Sequence, residues 1–114
     1  MVGRYAKKER VGGIYCITYL QYPGYYYIGQ TQSFRQRKYS HKYWLRHHKH
    51  DNPFLQHIWE KYQGEGFTFT PLEYLIDKRI LTLQKRESYW LYQYLSQGFT
   101  LINRPYCYEY LDKI

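Results

Sequence analysis

Two stretches near the start of the chain, residues 13–20 and 25–29, are dense in apolar and aromatic side chains, with Pro23-Gly24 between them. Short runs of this kind around a Pro-Gly turn predict two paired strands. The period then lengthens. Phe34, Arg37, His41 and Leu45 recur at helical spacing, which predicts a helix over residues 34–47 with Ser33 as its N-cap. An Arg and a His therefore share the face that carries the apolar anchors. Arg35, Lys38, Lys42, Arg46 and Lys49 fall on the opposite face.

Asn52-Pro53 is a helix start, with a capping side chain followed by proline at the first helical position. Phe54, Leu55, Ile58, Trp59 and Tyr62 form an apolar stripe on that second helix, and the Gly64–Gly66 region ends it. Residues 67–76 alternate well enough for a third strand. Pro71 cannot donate to a ladder, so this strand belongs at an edge or carries a bulge. A third helix is predicted over residues 80–96, closed by Gly98, with Leu83, Glu87, Trp90 and Tyr94 along one face. Glu87 is thus a carboxylate inside an apolar stripe. The order β-β-α-α-β-α predicts an α+β fold, a small three-stranded sheet of antiparallel type with flanking helices. It divides into a basic arm (1–11), one domain (12–105) and a short tail (106–114).

Composition adds a partner class. Of 114 residues, 17 are Tyr, so many apolar positions keep a polar end. The first 50 residues hold ten Lys or Arg against one acid, Glu9, whereas the remainder holds seven basic and eight acidic residues. Charge clustered in this way is the footprint of a phosphate-backbone binder. Cys16 and Cys107 are the only cysteines, with no disulfide framework and no zinc-ligand spacing, which fits a reducing, cytoplasmic setting. The N-terminus has no apolar signal core, and no run of about 20 apolar residues predicts a membrane span. His47-His48 and His50 do not form a metal cluster, because adjacent histidines point apart and no Cys is near.

Gly13-Ile14-Tyr15 and Tyr27-Ile28-Gly29, with eleven residues between them, make the chain resemble the GIY-YIG nuclease family. The resemblance extends over roughly residues 13–103. It places the family's two tyrosines at Tyr15 and Tyr27, its arginine at Arg37, and its histidine one turn later at His41. The metal-binding glutamate falls at Glu87 within Arg86-Glu87-Ser88-Tyr89-Trp90, and the asparagine near the end of the domain at Asn103.

By resemblance the chain is expected to be a metal-dependent endonuclease that hydrolyses DNA phosphodiester bonds at a single-metal site. The alternative is a non-catalytic nucleic-acid-binding module on the same fold. Glu87 is the expected ligand of Mg²⁺ or Mn²⁺, completed by water and substrate phosphate. Arg37 is the expected phosphate clamp. His41 orients water, shuttles a proton or bonds the phosphate. Tyr15 is the general base or water-orienting phenol, activated by Arg37, the metal and the basic helix. Tyr27 bonds phosphate or holds Tyr15. Asn103 fixes backbone or orients Glu87. Arg35, Lys38, Lys42, Arg46 and His50 are expected to meet nucleic acid. The family's homing members carry a further DNA-binding region after this domain, and the chain stops soon after Asn103. Specificity is therefore expected to be weak or supplied by a partner, with a transient dimer for double-strand cutting, in a phage or mobile-element setting.

Overall fold

The computed structural model describes residues 10–103. Most of the basic arm and the whole tail lie outside the described residues. Strand β1 (Gly12–Tyr19) and strand β2 (Tyr25–Thr31) form the antiparallel pair expected of the two tripeptides. The register sets Tyr15 opposite Gly29 and Ile17 opposite Tyr27. Strand β3 (Phe67–Leu75) pairs antiparallel with the other edge of β1. Both readings of Pro71 hold. β3 is an edge strand, and the register slips where Ile14 faces Glu73 but Tyr15 faces Pro71. The missing N–H of proline is accommodated at that bulge.

The sheet has a fourth strand, which sequence periodicity does not show. β4 (Thr100–Leu101) is two residues long and runs parallel to β2, giving the order β3-β1-β2-β4. Two residues cannot display a period, and their pairing partner lies far away in the chain.

Helix α1 (Phe34–Arg46) starts at Ser33, whose side chain accepts from the Gln36 N–H. Helix α2 (Pro53–Tyr62) starts at Asn52, which caps the Leu55 N–H. Helix α3 spans Ile80–Ser96. The sheet separates two cores. Tyr15, Ile17 and Tyr19 face Phe34, Leu45, Phe54, Leu55 and Ile58 of α1 and α2. Ile14, Cys16 and Ile28 face the other way, against Trp90, Leu91 and Tyr94 of α3. Strand β1 is buried on both faces, which is why its sequence reads as continuous apolar residues.

Asn103 lies just past β4. Its side-chain oxygen accepts from Ile28 N–H at 3.0 Å, and its amide donates to Ile28 C=O at 2.7 Å. The ladder before it has Ile102 N–H donating to Tyr26 C=O at 2.8 Å. The amide side chain thus supplies the next rung of the parallel ladder. Of the two roles expected for Asn103, it takes the backbone one, and it fixes the middle residue of Tyr27-Ile28-Gly29. Asn103→Asp keeps the acceptor but sets a carboxylate against a carbonyl. It is expected to lower stability by about 1–3 kcal/mol, the usual cost of a broken part-buried pair. Urea denaturation measures it.

Candidate active site

Tyr15, Tyr27 and His41 meet because β1 and β2 are paired and α1 crosses the same face. The Tyr15 hydroxyl and His41 Nε2 are 2.7 Å apart, and the two rings meet edge to face with centroids 5.6 Å apart. Tyr27 also meets His41 edge-on, at 5.5 Å. The Tyr15 ring lies over Gly29, where any β-carbon would overlap its Cζ and hydroxyl. The last glycine of the second tripeptide is therefore a space requirement. Phe69 of β3 stacks on the same ring at 4.5 Å.

A cavity of about 310 Å³ opens beside these groups, lined by Tyr27, Arg37, His41, Trp44, Lys49 and Asp51. Tyr27 is half-buried and reaches this cavity, whereas Tyr15 is 2% exposed and sits behind it. Tyr15, expected as the general base or water-orienting phenol, thus lies in the core against His41, and Tyr27 is the phenol that lines the cavity. The cause is register, since Gly29 makes room for the Tyr15 ring inside the core.

Burial also decides the ionisation of these groups. The Tyr15 hydroxyl is pushed well above its ordinary pKa, first by burial and then by Tyr27; Arg37 pulls the other way and is outweighed. Tyr27 is likewise raised, by burial first and then by the carboxylates of Asp51 and Glu87, against lowering by Tyr15 and Arg37. Arg37 alone does not make a phenolate of either. His41 is pushed down to about 3 by burial, then by His50 and Arg37, so it is neutral near pH 7.

This neutrality has a stability consequence. A buried His with a depressed pKa binds fewer protons folded than unfolded, so stability falls as pH drops from about 6.5 towards 3. Urea midpoints measured between pH 7 and pH 4 are expected to fall less steeply in His41→Gln than in the wild-type chain.

Glu87 stands on α3, in the layer across the sheet, yet its charge raises both phenols. It is half-buried, and burial raises its own pKa. Its neighbour Arg86 is engaged elsewhere, donating to Glu73 at 2.8 Å, and Trp90 Nε1 donates to the same oxygen at 2.9 Å. Among the described residues no group of three or more His, Cys, Asp or Glu is placed to hold a metal ion. A single half-buried carboxylate fits a hydrated hard cation, which keeps most of its waters and takes its remaining ligands from substrate.

The expected nucleic-acid strip is partly as the helical wheel places it. Arg35, Lys38 and Arg46 are exposed on α1, and Lys42 is half-buried with its ammonium 5.8 Å from the centre of the Phe67 ring. His50 is different. It is buried, its Nε2 lies 2.7 Å from His41 Nδ1, and its Nδ1 accepts the Asn52 N–H at 3.0 Å. With both ring nitrogens occupied inside the protein, His50 is no phosphate contact; it belongs behind His41. Trp44 and Asp51 carry no expectation from the sequence, whereas Lys49 is expected on the basic face and Asn52 as the cap of the second helix. Trp44 was legible, because it follows His41 by three residues on the same helix face. Lys49 and Asp51 lie in the loop after α1, where no period applies.

The two tripeptides on paired strands, the helix that follows them and the carboxylate on α3 define a GIY-YIG-like fold. Among solved structures, the chain is similar to the catalytic domain of the homing endonuclease I-TevI, with a TM-score of 0.66 and 25% identity over 78% of this chain and 94% of that one. It is also similar to a point-mutant form of the catalytic domain of intron endonuclease I-TevI, with a TM-score of 0.68 and 23% identity over 79% of this chain and 90% of that one. No protein-family model matches the sequence, and no curated protein matches it. No helix among the described residues is long and apolar enough to cross a membrane.

Proposed function

We propose that this chain is a metal-dependent endonuclease that hydrolyses DNA phosphodiester bonds at the Tyr27–Arg37–His41 cavity. The observation that carries this reading is convergence. A guanidinium, a phenol and a neutral imidazole line one cavity, and a half-buried carboxylate from another layer is near enough to perturb the phenols. The likeness to endonuclease catalytic domains supports it.

Hydrolysis adds water across one P–O bond and leaves a phosphomonoester and a free hydroxyl. Arg37 is the clamp, because a guanidinium donates to two phosphate oxygens at once and keeps its charge. Tyr27, held neutral, donates its hydroxyl hydrogen into the cavity and bonds a phosphate or leaving oxygen there. His41 stays neutral, lines the cavity and holds the Tyr15 hydroxyl. Glu87 is the residue that would hold Mg²⁺ or Mn²⁺, an ion that supplies Lewis-acid stabilisation and acidifies a bound water. Lys49 and the basic face of α1 attract the backbone on either side. One cavity cuts one strand, so a double-strand break needs a transient dimer or a second nick.

Supercoiled plasmid incubated with the protein is expected to be nicked with Mg²⁺ and left intact with EDTA. Salt-sensitive binding without nicking, with Mg²⁺ present, means a nucleic-acid-binding module and overturns the catalytic reading.

A further inference from the structure

A backbone N–H can only donate. The Asn52 N–H is 3.0 Å from His50 Nδ1, so that nitrogen carries a lone pair. Asp51 Oδ1 is 3.6 Å from the same nitrogen, beyond hydrogen-bond reach. A neutral His50 then has its hydrogen on Nε2, which lies 2.7 Å from His41 Nδ1. That makes His41 Nδ1 the acceptor and puts the His41 hydrogen on Nε2, 2.7 Å from the Tyr15 oxygen. Tyr15 receives that hydrogen bond and keeps its own proton free to turn towards Tyr27, whose ring centroid lies 6.3 Å from its own.

We propose that His50, oriented by the Asn52 amide, sets the tautomer of His41 and makes a one-way line of donors ending on Tyr15, beside the Tyr27 that lines the cavity. His50 is a positioning residue, since it touches no substrate. Its own position is over-determined. The His50 N–H donates to Gln56 Oε1 at 3.0 Å, and the Asn52 side chain caps α2 while donating to Ile102 C=O at 2.8 Å. The His41 and His50 rings stack with centroids 5.0 Å apart, and the Trp44 indole closes over them edge-on at 5.8 and 6.0 Å. Burial lowers the pKa of both histidines, so both rings stay neutral and each has one donor and one acceptor.

The line has a functional sense. Because every hydrogen points towards the cavity, His41 is a donor to Tyr15 and cannot take a proton at Nε2. The Tyr15 oxygen is left as the acceptor of that bond, with its own hydrogen directed away from His41. The effect on turnover rests on the nuclease reading; the tautomer does not.

The test is a long-range ¹H–¹⁵N correlation spectrum of the full chain at neutral pH without DNA. Both histidines are expected to show a pyridine-like Nδ1 and a pyrrole-like Nε2. Protonation of His41 at Nδ1 overturns the proposal. In His50→Ala the His41 signals are expected to move towards a mixture of tautomers. His50→Gln, whose amide donates to His41 Nδ1, is expected to keep the wild-type pattern. In plasmid nicking, His50→Ala is expected to lose about 10- to 100-fold in kcat with little change in KM, the scale seen when the partner that orients a site histidine is removed, and His50→Gln to recover most of it. An unchanged tautomer in His50→Ala overturns the assignment. So does a kcat loss that His50→Gln, with the wild-type pattern, does not repair. If His50→Ala does not fold, the wild-type and His50→Gln spectra decide. A wild-type chain that never nicks DNA defeats the nuclease reading and leaves the spectral test standing.

Discussion

Glu87→Gln is expected to abolish Mg²⁺-dependent plasmid nicking while leaving the fold at least as stable at pH 7. The first half follows from Glu87 being the carboxylate assigned to the cation. Losing several kcal/mol of transition-state stabilisation, taken as about 4 kcal/mol, slows the reaction about 10³-fold. The second half follows from linkage. Burial raises the pKa of Glu87, so the folded chain holds that proton more tightly than the unfolded chain does. Its contribution is favourable below the unfolded pKa and is lost as pH rises through the folded value. At pH 7 the ionised carboxylate therefore costs stability, and an isosteric amide relieves that cost. Nicking rates and urea midpoints on the same preparation check both halves. Unchanged nicking sinks the assignment of Glu87 to the metal, and a large drop in the midpoint at pH 7 makes it a structural partner instead.

Arg37→Ala is the second large effect. The guanidinium lines the cavity and lowers the pKa of both phenols. Removing a donor aimed at developing phosphate charge typically costs about 10²- to 10³-fold in kcat. Arg37→Lys keeps a charge but not the bidentate fork and is expected to fall between the two. Arg35, Lys38, Lys42 and Arg46 remain in the variant, so DNA binding and its dependence on salt are expected to change little. Filter binding across a salt series, beside single-turnover nicking, separates the two. Loss of binding in step with loss of cleavage makes Arg37 one more backbone contact.

Much of the architecture was legible before any coordinates. Three strands and three helices follow from period, Pro-Gly punctuation and two N-caps, and all lie close to where those signals put them. Pro71 announced both an edge and a bulge. β4 and its side-chain rung were not legible, because a two-residue strand is defined by its partner and not by its pattern.

The site divides in the same way. Spacing along the chain pairs Tyr15 with Tyr27 and sets Arg37 and His41 on one helix face, because strand pairing and helix periodicity are local rules; that the two pairs share one site was implied by the resemblance alone. Three matters needed the packed molecule. The first is which phenol meets the cavity, settled by the bare backbone at Gly29. The second is ionisation, where burial outweighs Arg37 and leaves both phenols and His41 neutral. The third is the place of His50, which reads as surface charge in sequence and becomes a buried hydrogen-bond partner once α1 and α2 close around it. Short-range patterns select the elements. Desolvation and hydrogen-bond direction are properties of surroundings assembled from distant parts of the chain, and no single stretch encodes them.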